Sequence, residues 1–373
     1  EQSDIPTGES CRHRLFLSTH DRRLWDIDAV DGKTCQDFGD KGSLALYGNE
    51  CHAPGDVSNS SAPLVAGGVV VTGSVVLDFA RSKTPRGTVL AFDSGSGRPL
   101  WQFDPLQGHE DSGSANVWAP MSVDEANGLL YLPTSAPSPD YYGAARPGNN
   151  LYANSIVAVD LYSGEVRWHF QHVRHDLWDY DSPAQPILFQ WNKNGESIPA
   201  VAQLTKQGFV FVFNRLTGES LWEITEQPVP PSQIPGEMTS PTQPKPIAPP
   251  QLLNPFLMPG DAWGLTPWDR GHCKKQLASL HNLGLFTPTS ETLTLMYPGS
   301  LGGANWGGGA LLADSGVLLV NVNNIAFSGQ LIPIPEDFDP TTRKQDHPAA
   351  GHRMRVTMDG TPYDIEIGSL QSP

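Results

Sequence analysis

The chain has 373 residues, with 24 basic and 40 acidic side chains and a formal net charge of −16. That balance repels nucleic acid and anionic surfaces and excludes a phosphate-tracking role. Glycine (37) and proline (34) are abundant and charged residues make up only 17%, which points to turn-rich β structure and away from a helical bundle or a disordered polymer.

In chain order, a degenerate hairpin falls at 24–35, with Cys11 and Cys35 on either side. These two thiols either bridge in an oxidising compartment or stay buried and free, and the residues alone leave both open. With Cys51 and Cys273 they are too few for a disulfide scaffold and lack the close pairing of a zinc site. A strand-rich stretch follows at 62–74 (APLVAGGVVVTGS), then a clear hairpin at 88–101 (TVLAFDSGSGRPLW). The same form returns at 155–168 (SIVAVDLYSGEVRW) and 209–222 (FVFVFNRLTGESLW), with further strands at 128–134, 197–205 and 315–323. Each copy is an apolar strand ending in Asp or Asn, a turn closed by Gly97, Gly164 or Gly218, and a return strand ending in Trp. The tryptophans are expected to dock between units.

Repeats at a spacing of roughly 60 residues, each supplying one small sheet, predict a β-propeller of about six blades within a single domain over 1–373. Residues 227–255 hold too many prolines for strand or helix and are expected to form a surface excursion between blades, with a linker between domains as the competing reading. The tail after Pro333 is charged, weakly patterned and without an evident closing strand. There is no run of about 18 apolar residues and residues 1–10 are polar, so a soluble chain with no export signal of its own is expected.

Four places hold residues suited to chemistry. HDLWD (His175 to Asp179) follows the second clear hairpin, where propeller loops carry ligands. Its bland reading is a polar turn, with Asp176, Asp179 and Asp181 as caps and His175 bonded to a carbonyl. The sharper one makes Asp179 a general base beside a cation that prefers oxygen ligands. Lys206 precedes an apolar strand and is either a solvated flank or an inward cation. Trp118, in GSANVWAPMS, lies outside the register that accounts for Trp101, Trp168 and Trp222, and offers a flat floor for a planar group. The glycines around Asn305 and Trp306 in YPGSLGGANWGGG permit close backbone approach to something. No phosphate-binding Gly-Lys-Ser/Thr loop, GxSxG elbow or HExxH is present.

Taken together, HDLWD, a lysine 27 residues after Asp179, Trp118 in its WAP context, the Asn305-Trp306 pair and the AxDxxxGxxxW-like repeats resemble the quinoprotein dehydrogenases that use pyrroloquinoline quinone (PQQ). The opening CRHRLFLSTHDRRLWDIDAVDGKTCQDFGDKG and RHDLWDYDSPAQP are most similar to the membrane-associated glucose, quinate and polyol branch. The likeness runs from about Cys11 to Ile332.

The resemblance implies an all-β, eight-bladed propeller of the quinoprotein type, of which this chain carries about six blades and is incomplete at both ends. It implies Asp179 as base near a Ca²⁺ or Mg²⁺ ion, Lys206 against the quinone oxygens, Trp118 stacked on the ring, and Asn305 with Trp306 nearby. Asp78, and Ser138 or Asp140, fall near the remaining metal-ligand positions. The implied activity is oxidation of a sugar, cyclic hydroxy acid or polyol, with electrons passing to membrane ubiquinone. The implied location is the periplasm, attached to the inner membrane through a segment or subunit outside this chain. A non-catalytic repeat propeller acting as an interaction scaffold is the rival reading.

Overall fold

A computed structural model of the protein describes residues 10–46, 53, 55–78, 81–109, 112–193, 195–254, 256–335, 337–338 and 353–370. Cys51 lies outside them. The repeated hairpins form where the sequence places them. Val89–Asp93 pairs with Pro99–Phe103, and Ser155–Asp160 with Val166–Gln171. The third copy, Val210–Asn214, returns through one bridge from Phe213 to Ser220, and the degenerate copy through one from Ile27 to Thr34. The Asp and Gly of the motif have separate tasks. Asp93 and Asp160 fold the turn by accepting from the amides of Ser96 (2.8 Å) and Ser163 (2.9 Å), the local bond that makes Asp a turn former. Gly164 then takes φ +72°, where a side chain is costly.

The Trp that ends each of the first two clear hairpins covers the turn of the next sheet. Trp101 Nε1 donates to the carbonyl of Leu161 (2.9 Å) and Trp168 Nε1 to that of Arg215 (3.0 Å). Their rings lie so close to the following turns that a Cβ on Gly164 or Gly218 would come within 2.7 Å of the indole. Trp222 instead packs on Trp191, with ring centroids 4.9 Å apart.

Four antiparallel sheets follow one another in sequence order. They are Arg14–Ser18, Arg23–Asp28 and Ser43–Ala45; Leu64–Ala66, Val69–Thr72, Val89–Asp93 and Pro99–Phe103; Ser122–Asp124, Leu129–Pro133, Ser155–Asp160 and Val166–Gln171; and Ile187–Lys193, Glu196–Leu204 and Val210–Asn214. A separate apolar cluster fills each gap between neighbours, with Leu24, Phe38 and Val70 in the first, Val71, Val89 and Leu130 in the second, and Tyr131, Trp168 and Phe213 in the third. A ribbon of Gly309–Leu312 and Val317–Val320 continues the series, its Leu318 and Val320 packing with Ala200 and Leu204 of the fourth sheet. Face-to-face succession with a core between each pair is the radial packing of propeller blades. A fifth sheet, in the order Thr294–Met296, Phe327–Pro333, Tyr363–Ser369 and Met354–Val356, packs on Tyr141, Tyr142 and Ile234. Among the described residues there are thus five sheets of three or four strands and three two-stranded ribbons, where about six units were expected.

Two local expectations are corrected, and one element without an expectation is found. The proline-rich stretch contributes a strand: Ile224–Pro228 pairs with Thr242–Pro246. In a two-stranded ribbon every strand is an edge, so a proline can face away from the ladder. The tail does supply a strand, Tyr363–Ser369, paired with Phe327–Pro333 along its whole length; Tyr363, Ile365 and Ile367 alternate inward, a period-two signal masked by its short span. Finally, Pro267–Ser279 is a helix. Its capping box, Thr266 and Asp269 bonded reciprocally with Pro267 at the first position, was readable in TPWD. Among the described residues no helix is long and apolar enough to cross a membrane. Cys11 and Cys35 are joined in a disulfide.

Two glycines separate packing from backbone strain. Gly164→Ala meets both a left-handed φ and the Trp101 ring, whereas Gly195, at φ +86°, has open space where a Cβ would go. Urea melts should show a loss of about 2–4 kcal/mol for the first and about 1 kcal/mol for the second. Equal losses would mean that the Trp–Gly contact contributes nothing.

Candidate functional site

The segment from His175 to Asp181 leaves the third sheet and is fixed by its aromatic residues. Trp178 Nε1 donates to the carbonyl of Thr287 (2.8 Å) and the Tyr180 hydroxyl to that of Pro298 (2.6 Å). Both rings are buried against Phe286. The bland reading holds for two residues. Asp176 accepts from the amides of Trp178 (2.9 Å) and Tyr180 (2.7 Å) and from Asn154 Nδ2 (2.7 Å), and His175 Nδ1 contacts the carbonyl of Gly148 at 2.8 Å. Asp179 differs in its partner, a buried lysine; like His175 (φ +48°) it sits in the left-handed region, at φ +56°, a conformation that costs a non-glycine residue about 1 kcal/mol or more.

Asp179 meets Lys206 through both backbone and side chain. Lys206 Nζ donates to the Asp179 carbonyl (2.7 Å), to Asp179 Oδ1 (3.2 Å) and to Asp181 Oδ2 (3.0 Å). Lys206 is buried, so it is the inward cation, and its three protons have three acceptors, as a buried ammonium requires. Burial opposes its charge, but Asp179 and Asp181 outweigh that and raise its pKa. Asp181 also accepts from Trp118 Nε1 (3.2 Å) through the same Oδ2, and from the amide of Ala136 (2.6 Å) through Oδ1. Trp118, Asp179 and Lys206 are therefore brought together, and Asp181, unassigned from sequence beyond a turn cap, is what joins them. The signal was present in the DYD that follows HDLW, but its partners lie 25, 45 and 63 residues away.

Two further carboxylates lie in the same electrostatic neighbourhood. Asp140 is buried and makes no hydrogen bond or ion pair among the described residues; burial, then the charges of Asp78 and Asp181, hold its pKa well above the ordinary carboxylate range. Asp179 is raised likewise by burial, against the pull of Lys206 and with the push of Asp181 and Asp140. Asp78 keeps an exposed face while most of its surroundings are protein, and its pKa is shifted upward by burial and then by Asp179 and Asp181. Ser138 turns its hydroxyl to those of Ser114 (2.7 Å) and Thr84 (3.0 Å) and makes no hydrogen bond to a carboxylate among the described residues. Among the described residues no three His, Cys, Asp or Glu side chains converge closely enough to hold a metal ion.

The glycine-rich loop approaches the lysine turn itself. Gly303 N donates to the carbonyl of Lys206 (2.5 Å) and Ala304 N to that of Thr205 (3.2 Å). A Cβ on Gly302 would meet the Lys206 side chain at 2.6 Å, and one on Gly303 would meet Gly208 Cα at 2.8 Å. Asn305 Nδ2 folds back to the carbonyl of Leu301 (2.7 Å), and Trp306 projects outward, 76% exposed.

Comparison with known proteins bears on this arrangement directly. The family described as PQQ: glucose/ethanol/alcohol dehydrogenase, beta-propeller domain, matches residues 1–373. The chain belongs to this family. It is 36% identical to the glycerol dehydrogenase large subunit of Gluconobacter oxydans (98% of this chain, 52% of the relative). It is 35% identical both to quinoprotein glucose dehydrogenase A of Acinetobacter calcoaceticus (100% and 48%) and to the quinate/shikimate dehydrogenase (quinone) of Acinetobacter baylyi (99% and 47%). The PQQ propeller described here thus spans about half the length of these relatives. A europium-containing methanol dehydrogenase matches in fold with a TM-score of 0.61 at 19% identity, over 96% of this chain and 55% of that one.

Within this PQQ propeller two buried histidines stay neutral beside the site. Burial lowers His172 to about 3, and burial with the nearby Arg146 charge lowers His175 to about 4. Both are depressed below the ordinary value of 6.5, so the unfolded chain takes up protons first and stability falls as pH drops from about 6.5 through 4 and below. His172→Gln should make that loss shallower by a few kcal/mol at most when urea melts at pH 7 and pH 4.5 are compared. An identical slope in the variant would exclude His172 as a source.

Proposed function

We propose that this chain forms the cofactor-bearing part of a PQQ-dependent dehydrogenase that oxidises a hydroxyl of a sugar, polyol or cyclic hydroxy acid and passes electrons to a membrane quinone. The observation that carries this reading is the buried unit of Lys206, Asp181 and Trp118 beside Asp179. An interaction scaffold has no use for an ammonium buried among carboxylates. Relatives named for glycerol, glucose and quinate support a polyhydroxylated substrate.

The residues fit the cofactor. A half-buried indole held at its edge offers a face to a planar group, and a buried ammonium beside it suits an anionic quinone. PQQ, when bound, supplies the two-electron acceptor for hydride. Lys206 would stabilise negative charge developing on the adjacent oxygen, and Trp118 would set the ring plane. Asn305 and Trp306, on the loop seated against Lys206, would approach from a later part of the chain. Asp179 would take the substrate hydroxyl proton; its Oδ1 is held by Lys206 while its Oδ2 has no partner among the described residues.

That role needs an ionised Asp179, yet burial and its acidic neighbours favour the protonated form. A divalent cation would reverse the balance, because a nearby positive charge lowers a carboxyl pKa. Asp179, Asp140 and Asp78 carry the hard oxygen donors that Ca²⁺ or Mg²⁺ takes, and Asp140 makes no hydrogen bond or ion pair among the described residues; the three would have to draw closer together than they stand here to share one ion. We place the protein in the periplasm, associated with the inner membrane; the Cys11–Cys35 bridge supports an oxidising compartment.

The test is reconstitution of the full chain with PQQ and Ca²⁺ or Mg²⁺, followed by dye reduction with glucose, quinate and glycerol. Asp179→Asn should cut turnover by about 100-fold or more while PQQ affinity stays within a few-fold; undiminished turnover would remove Asp179 from the base role. EDTA should abolish dye reduction and added Ca²⁺ or Mg²⁺ should restore it, whereas full activity in the chelator would exclude a cation.

A further inference from the structure

We propose that Asp181 is the positioning residue of the cofactor site, setting the indole of Trp118 and the ammonium of Lys206 at a fixed distance from each other. The role in cofactor binding rests on the PQQ reading above. The two acidic residues differ in what their oxygens do. Asp179 engages one oxygen and leaves the other open. Asp181 has both occupied: Oδ1 by the Ala136 amide, and Oδ2 by Trp118 Nε1 and Lys206 Nζ together. Three of the four lone-pair directions of Asp181 are thus filled, against one on Asp179 among the described residues, so Asp179 is the better placed of the two to receive a substrate proton.

Its anchors come from three separate segments. Trp118 lies in the approach to the third sheet, Ala136 follows the strand Leu129–Pro133, and Lys206 follows Glu196–Leu204 of the fourth sheet. The hydrogen bond from Ala136 fixes one end of the carboxylate, and the other end then fixes both donors. Charge-assisted bonds of this kind are stronger than neutral ones and more directional than packing alone. No other side chain among the described residues accepts a hydrogen bond from both Trp118 Nε1 and Lys206 Nζ.

Asparagine cannot take over. If its carbonyl faces Trp118 and Lys206, its amide meets the Ala136 N–H donor to donor; if it flips, the clash moves to the other end. Phenylalanine at Trp118 keeps an aromatic ring and loses only the donor.

Two readouts test the proposal on the full chain. In cofactor-free protein with ¹⁵N-labelled tryptophan, the Trp118 indole N–H should exchange with solvent about ten-fold faster in Asp181→Asn than in the wild type. PQQ titrations followed by tryptophan quenching should show about ten-fold weaker binding for Asp181→Asn. The double variant Asp181→Asn/Trp118→Phe should bind within about three-fold of the weaker single variant, because both changes remove one coupling. Unchanged indole exchange, unchanged affinity, or fully additive losses would each overturn the proposal. If Asp181→Asn does not fold, Trp118→Phe alone decides: several-fold weaker binding supports the positioning role and wild-type affinity sinks it. A wild-type chain that protects the indole yet binds no PQQ overturns the cofactor reading, and with it this part of Asp181's role.

Discussion

The structure around the site depends on one buried positive charge. An ammonium removed from water is tolerated only when every proton has an acceptor and opposite charge is close. Lys206 meets both conditions by drawing Asp179 and Asp181 to itself. Because Asp181 is shared with Trp118 and Ala136, the demand for compensation is also a demand that loops from two neighbouring sheets hold one arrangement. Left without Lys206, Asp179 would lose the one charge that opposes its burial and its acidic neighbours.

The repeat solves a different problem with the same economy of parts. Asp turns the chain, Gly accepts the resulting conformation, and the absence of a side chain on that Gly makes room for the preceding sheet's Trp. Three residues thus specify a turn and also which neighbour it docks on. Because blades meet through separate apolar clusters, the loops between them are free to carry residues chosen for chemistry rather than packing.

Legibility in the sequence followed the range of the interactions. The Asp-turn-Gly-Trp hairpins were readable because their bonds close within a few residues, and the identity of the motif residues led from Asp179 to Lys206 and Trp118. Asp181 was not readable as a hub, since Asp is also an ordinary turn cap and its partners are far along the chain. The ribbon through Pro228 and Pro246 was hidden because proline argues against strands in general but not against the free side of an edge strand. The glycine loop announced close approach without naming its neighbour, which proved to be the Lys206 turn.

That neighbour lies about a hundred residues earlier in the chain. Trp178 and Tyr180 find their carbonyl partners 109 and 118 residues onward, and Gly303 closes on Lys206 from a similar distance. As the chain emerges from the ribosome, the hairpins can pair as soon as they are made, while the lysine turn waits for a segment still to be translated. The lysine turn is therefore among the last parts to close, and a nascent propeller can have well-formed blades before that turn is sealed.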